Sequence, residues 1–246
     1  SRIEALHRRV AGVFDDALQS LRPAIEAAFP AERSEGDARP AVDLDAILDQ
    51  IAIADDLLAA TAEPRADALR HGIDLESRRL EEELESRVGK GLYRVTITKD
   101  FDVTQTFAYR LLQQRAARNM RGVEDSIRDL VRTSLTQVIG QGGNVNDAWL
   151  ALQRDVAGMT DDHARLVART EIMGAQRYGK QALAEETEHL LKGKTWRARK
   201  IPGRSRPWHS VMDAVTVPVR ESWTVPATGA KGQPRDYPKT CYVVGE

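Results

Sequence analysis

Apolar side chains recur at three- and four-residue steps over most of the chain, the spacing that lines them up on one side of an α-helix. Ile3, Leu6, Val10, Val13, Phe14, Ala17, Leu18 and Leu21 predict a first helix. It should break or kink at Pro23, because proline has no amide to donate. The polar, proline-bounded residues 30–40 read as a linker. A second helix is expected from about Asp43, with Leu44, Ile47, Leu48, Ile51, Leu57 and Leu58 inward. A third is expected from Pro64, which suits a first helical turn, to Val88. Its acidic run Glu81–Glu83 reads as a solvated face. Tyr93 to Thr98 alternates and is β-branched, so a strand is expected there.

Helical periodicity then returns. One helix is expected over about 104–118 and another over about 122–140, ended by the glycines at 140, 142 and 143. Asn146 reads as the cap of a short helix bearing Trp149, Leu152 and Val156. Thr160 reads as the cap of a long helix over about 161–191, with Asp161 and Asp162 favourably placed against the helix dipole. The inward stripe of that helix is small: Ala164, Ala168, Ala175, Gly179 and Ala182, a composition that lets another helix approach closely. After Gly193 the pattern changes. Residues 194–246 hold six of the ten prolines and three of the four tryptophans, with short β-favouring runs at 195–197, 215–219 and 222–225. Prolines confine such strands to edges and ends. The expected fold class is therefore mainly α with a small C-terminal β/irregular module (α+β). Its parts are an acidic helical region over 1–90, a helical core over 91–193, and a basic, Trp/Pro-rich module over 194–246.

Charge sharpens this division. The chain of 246 residues has a formal net charge of −1. Residues 1–90 carry 12 basic and 20 acidic side chains, whereas residues 190–246 carry 11 basic and 4 acidic. Different neighbours are expected for the two ends. No apolar run approaches the ~20 residues of a membrane span, so no membrane partner is expected. The N-terminal pattern is amphipathic, without the apolar core of a signal segment. A single cysteine, Cys241, excludes an internal disulfide.

Candidate chemistry is sparse. The five histidines lack metal-ligand spacing, and neither a phosphate-binding glycine loop nor a nucleophile elbow is present. The densest cluster is Lys194, Arg197, Arg199, Lys200, Arg204 and Arg206, interleaved with Trp196 and Trp208. Cations beside aromatic faces suit phosphate contact and base stacking. A solvated basic loop over a small tryptophan core is the plain alternative. His209, near Arg206 and Asp213, has the residue types for proton transfer, and reads equally as a structural histidine. His209 with Cys241 falls short of the four ligands of structural zinc, so no metal or other cofactor is expected. Cys241 reads as a small buried apolar side chain. Arg169 and Glu171 are expected to tie the long helix to the C-terminal module by hydrogen bonds. Glu185, Glu186 and Glu188 read as solvated.

The stretch from Ala164 through Arg169, Thr170 and Glu171, with Gly179 after it, resembles the Ala-Arg-Thr-Glu helix of the phage head morphogenesis family. These are the minor head proteins typified by protein F of phage Mu, whose common region is the MuF domain. Trp196, then Arg206 with His209, then Met212, Asp213, Val217 and Pro218 resemble that family's Trp, Arg-x-x-His and Leu-Asp-Gly-x-x-Val-Pro elements. Lys239, Thr240 and Cys241 resemble its terminal Asn-Cys-Arg-Cys. The resemblance covers about residues 120–246. Ala214 stands where the family has glycine, and Val243 where it has a second cysteine.

The resemblance implies a non-enzymatic virion protein, present in few copies in the capsid interior near the portal vertex. It implies a role in head assembly and in DNA packaging or ejection. The portal protein is the implied partner, with the major capsid protein or scaffold and the packaged viral DNA as further contacts. Two alternatives stand beside it. One is a nucleic-acid-binding or toxin-like hydrolase or transferase module carried on a phage-head domain. The other is an adaptor that binds only protein.

Overall fold

The computed structural model describes residues 1–31, 42–88, 94–197, 211–221, 223–225, 235–237 and 241–244. Of 157–160, 224–225, 235–237 and 241–244 it describes the backbone path alone. The amphipathic repeat at the start is helix α1 (Arg2–Ser20), with Leu6, Val10, Phe14 and Leu18 buried. Pro23 sits in the first turn of α2 (Arg22–Ala28), so the expected break falls at Leu21. The helices that follow are α3 (Leu44–Leu48), α4 (Ala54–Val88), α5 (Phe107–Gly140) and α6 (Val145–Glu186). Short antiparallel strands β1 (Leu191–Thr195), β2 (Thr216–Val217), β3 (Trp223–Val225), β4 (Arg235–Tyr237) and β5 (Cys241–Val244) follow α6. The molecule is thus mainly α with a small C-terminal β module. Most of the expected linker 30–40 lies outside the described residues.

The chain forms two compact units, one of Ser1–Ala66 with Gln113–Met173 and one of Asp67–Leu112 with Gly174–Glu246. In the first unit, Phe14 and Leu18 of α1 line a small apolar pocket with Ile51, Ile127, Val131 and Val156, and Leu6, Val10, Ile47, Leu57 and Leu135 are buried as well. The expected second helix is interrupted: α3 ends at Leu48 and α4 begins at Ala54. The interruption is held from α5. Arg128 donates twice to the Ile51 carbonyl, at 3.0 and 2.6 Å, and the Glu124 carboxylate accepts the Ala54 amide at 2.8 Å. A cap supplied from another helix leaves no trace in the local pattern.

Three further expectations are corrected. Pro64 does not open a helix; it lies inside α4. An interior proline costs ~3 kcal/mol, and side chains on either side of it hydrogen-bond the preceding turn. Thr61 donates to the Leu57 carbonyl at 2.7 Å and Arg65 to that of Leu58 at 3.1 Å, both from buried side chains. The expected helices over 104–118 and 122–140 are one, α5. Those over 146–157 and 161–191 are also one, so Thr160 falls inside a helix and not at its start. The cap of α6 is Asn144 rather than Asn146. Its Oδ1 accepts the Asn146 and Asp147 amides, and Asp147 accepts the Asn144 amide in return, a reciprocal capping box. Between α5 and α6, Gly142 adopts φ +65° and Gly143 donates to the Val138 carbonyl, which closes α5 as the glycine run predicts.

In the second unit, α4 and α6 meet through glycine. A Cβ on Gly179 would lie 2.0 Å from the Leu69 carbonyl oxygen, and one on Gly72 would lie 2.0 Å from that of Gln176. At Gln176 and Gly179, α6 therefore lies against residues 69–73 of α4. The strand expected over 93–98 is absent among the described residues. Instead, the alternate amides of Val95 and Ile97 donate to Glu85 and Glu81, at 2.9 and 2.8 Å. The acidic run is thus not merely solvated. Glu81, with Glu85 beyond the run, takes the place of the carbonyl acceptors a neighbouring strand would offer.

α6 stops at Glu186, and β1 forms the centre of a three-stranded sheet in the order β2-β1-β5, while β3 pairs with β4. Lys194 stands opposite Val217 and Tyr242, and Thr195 opposite Thr216 and Cys241.

Candidate functional site in the C-terminal module

The module is built on tryptophan. Trp196 and Trp223 meet edge to face, ring centres 5.5 Å apart and planes at 89°. Met212 completes their core and Val217 covers it. A tight turn carries Met212 into place. The Val215 amide donates to the Met212 carbonyl, and the Ala214 amide donates to the Trp196 carbonyl. Ala214 at the third position of this turn has φ +67°, the only non-glycine among the described residues in the left-handed region. That is the sign pattern of a type II turn, whose third position favours glycine.

Beneath the tryptophans lies a buried polar chain on α6. The Lys194 ammonium is 5.1 Å from the centre of the Trp223 ring and 3.5 Å from the Gln181 carbonyl oxygen. Gln181 donates to Glu185 at 3.0 Å and to the Val219 carbonyl at 2.8 Å. Glu185 also accepts the amides of Phe107 and Ala108, capping the start of α5. Arg220 closes the end of α6 by donating to the Glu185 carbonyl at 3.2 Å and to the Glu188 carboxylate at 2.9 Å. Burial pushes the Lys194 ammonium down to about 8, against the opposing pull of Glu185 and Glu221.

These positions correct the sequence reading at several residues. Lys194 is 2% exposed, so it is removed from the cations available to phosphate. Its charge is spent on Trp223 and the Gln181–Glu185 pair. Arg197 is exposed and has a partner within the chain. Arg199, Lys200, Arg204, Arg206, Trp208 and His209 lie outside the described residues, as does the side chain of Cys241. Asp213 is half-buried in the tight turn, beside Ala214.

Glu171 is buried but does not reach the C-terminal module. It accepts from Arg65 at 3.4 Å and from Asn119 at 3.1 Å, a polar trio inside the first unit. Arg169 is exposed and Thr170 half-buried. The tie from α6 to the module is made by Gln181 and Glu185, which the sequence reading missed. A signal was present. The run Gln181, Ala182, Leu183, Ala184, Glu185 leaves no polar side for the helix, so its two polar members had to be satisfied internally.

The Lys194 ammonium is enclosed by a ring and an amide, and both carboxylate oxygens of Glu185 accept a donor. Among the described residues no three His, Cys, Asp or Glu side chains are gathered to hold a metal ion. Among them, too, no helix is long and apolar enough to cross a membrane. Compared with protein-family models, curated proteins and solved structures, the chain matches none.

Proposed function

We propose that the chain is a minor head protein of a tailed bacteriophage, held inside the capsid near the portal vertex. In this reading it aids head assembly and DNA packaging or ejection, and does so without catalysis. The portal protein is its partner, with the major capsid protein or scaffold and packaged DNA as further contacts. One observation carries the reading: the family-like positions converge on one small core. Trp196, Met212 and Val217 pack together around Trp223. Ala214 takes a left-handed conformation at the position where the family has glycine. A chance scatter of motif letters has no reason to meet in one turn and one core. Contact with DNA falls to Arg197, Arg199, Lys200, Arg204, Arg206 and Trp208, through phosphates and not sequence.

Quantitative mass spectrometry of particles from a host carrying the gene tests this. The protein should be present in a few copies for each portal ring. Portal-bearing particles that lack it entirely would sink the reading.

A further inference from the structure

One run of α5 is unlike the rest of the helical body in its charge. Between Asp102 and Glu124 the only charged side chains are Arg110, Arg115, Arg118 and Arg121. Other helix arginines are commonly tied to carboxylates, as Arg9 is to Glu63, Arg22 to Glu26, Arg132 to Asp45 and Arg165 to Asp161. Among the described residues, Arg115, Arg118 and Arg121 have no ion-pair partner. Arg118, Arg121 and the neighbouring Gln114 are exposed, and Arg115 is half-buried. Steps of three and four residues place them on one face. Ala116, Met120 and Ile127 occupy the opposite, buried face.

We propose that this face of α5 binds the phosphate backbone of a nucleic acid without reading its sequence. Arginine's planar fork matches phosphate oxygens, and a glutamine amide can donate to them as well. Three cations over about 9 Å of helix face a duplex that carries a charge every ~1.7 Å. An acidic protein would be attracted by the same charges, but a stable protein interface needs apolar anchors at its centre. Among the described residues none of the exposed large apolar side chains lies on α5. The proposal does not rest on the virion reading, and the strip is separate in sequence from the C-terminal cations assigned to DNA above.

The test is duplex binding by the full chain, read by fluorescence anisotropy from 50 to 300 mM salt. The double variant Arg118→Gln/Arg121→Gln removes two exposed cations and should leave circular dichroism and the unfolding midpoint in place. Each phosphate contact contributes about −0.9 to the slope of log affinity against log salt. The slope should therefore flatten by about 1.8, or about sevenfold for each threefold change in salt. The same flattening is expected in a chain whose Arg197, Arg199, Lys200, Arg204 and Arg206 are glutamine, which separates the strip from the tail. Arg22→Gln/Arg132→Gln, equal in net charge, should leave the slope unchanged. An unaltered slope in the strip variant overturns the proposal, as does equal flattening in the control. Retention on polyglutamate without duplex binding overturns it in favour of an acidic protein partner.

Discussion

Ala214 holds a backbone conformation in which its Cβ crowds the following carbonyl oxygen. At φ +67° this costs an alanine ~1–2 kcal/mol, while glycine there loses only its extra chain entropy. Ala214→Gly should therefore stabilise the chain by roughly 0.5–1 kcal/mol, seen as a higher urea midpoint with an unchanged slope. A lower midpoint would show that the turn does not need this geometry. The Arg65–Glu171–Asn119 trio makes the opposite kind of prediction. Both charged members are at most 5% exposed, so removing one leaves the other buried and uncompensated. Glu171→Leu should cost ~3–5 kcal/mol. Arg65→Met/Glu171→Leu should recover most of that loss, as the desolvation cost then disappears from both sides. Half-buried Asn119 can turn to water. Additive losses in the double variant would mean that the two residues do not act as a pair.

Elements, in contrast, are decided by what lies across from them. Gly179→Ala places a methyl against the Leu69 backbone and should cost about 2–3 kcal/mol. Gly122→Ala in α5 meets nothing within 4 Å and should gain ~0.8–1 kcal/mol from helix propensity alone. Thermal melts of the two variants should move in opposite directions, and two shifts of the same sign would refute the glycine crossing. The same dependence on partners explains what the sequence could and could not reveal. The α1 stripe was legible because one side of that helix faces solvent, so its period survives. The break before Ala54 was not, because Glu124 and Arg128 supply it from far along the chain. Pro64 and the run Gly158 to Thr160 carry local stop signals, yet α4 and α6 continue through them. Tyr93 to Thr98 has true strand alternation, yet the acceptors beside it are carboxylates on α4 and not another strand. At the candidate site, Trp196 was legible as part of a small tryptophan core, and Met212 only through the family resemblance. Lys194 was misplaced because counting cations along the chain cannot tell an enclosed ammonium from an exposed one.

Over the whole chain, these local energies combine in how stability varies with pH. On the acid side, carboxylates are held below their ordinary range: Asp74 by a hydrogen bond from Lys99, Asp102 by Thr104, Asp155 by Arg154 and Asp161 by Arg165. Each is easier to ionise folded than unfolded. Their contribution is complete above the unfolded carboxylate range, near pH 4, and is lost as pH falls through the folded values. On the alkaline side, Lys194 works in the reverse sense. Its folded value of about 8 lies below the ordinary lysine value of 10.5, so between the two the unfolded chain holds the proton more tightly. Stability from this group therefore rises with pH from about 8 to about 10.5, and below that window the full penalty of a buried ammonium applies. That shift corresponds to roughly 3 kcal/mol at neutral pH. Lys194→Met keeps the volume and removes the charge, while Glu185 retains the Phe107, Ala108 and Gln181 donors. The variant should be more stable than the parent at pH 7.5, by up to that amount. The gap should narrow steadily above pH 8, to roughly a quarter of its neutral value by pH 10, because the unfolded lysine keeps its proton until about 10.5. Urea unfolding of both chains at half-unit steps from pH 7.5 to 10 measures the gap directly. General alkaline effects on the other lysines and tyrosines act on both chains and cancel in the difference. Two profiles that stay parallel over that range would mean the ammonium is fully compensated by Trp223, Gln181 and the nearby carboxylates. The C-terminal module would then be as strong at neutral pH as it is in base.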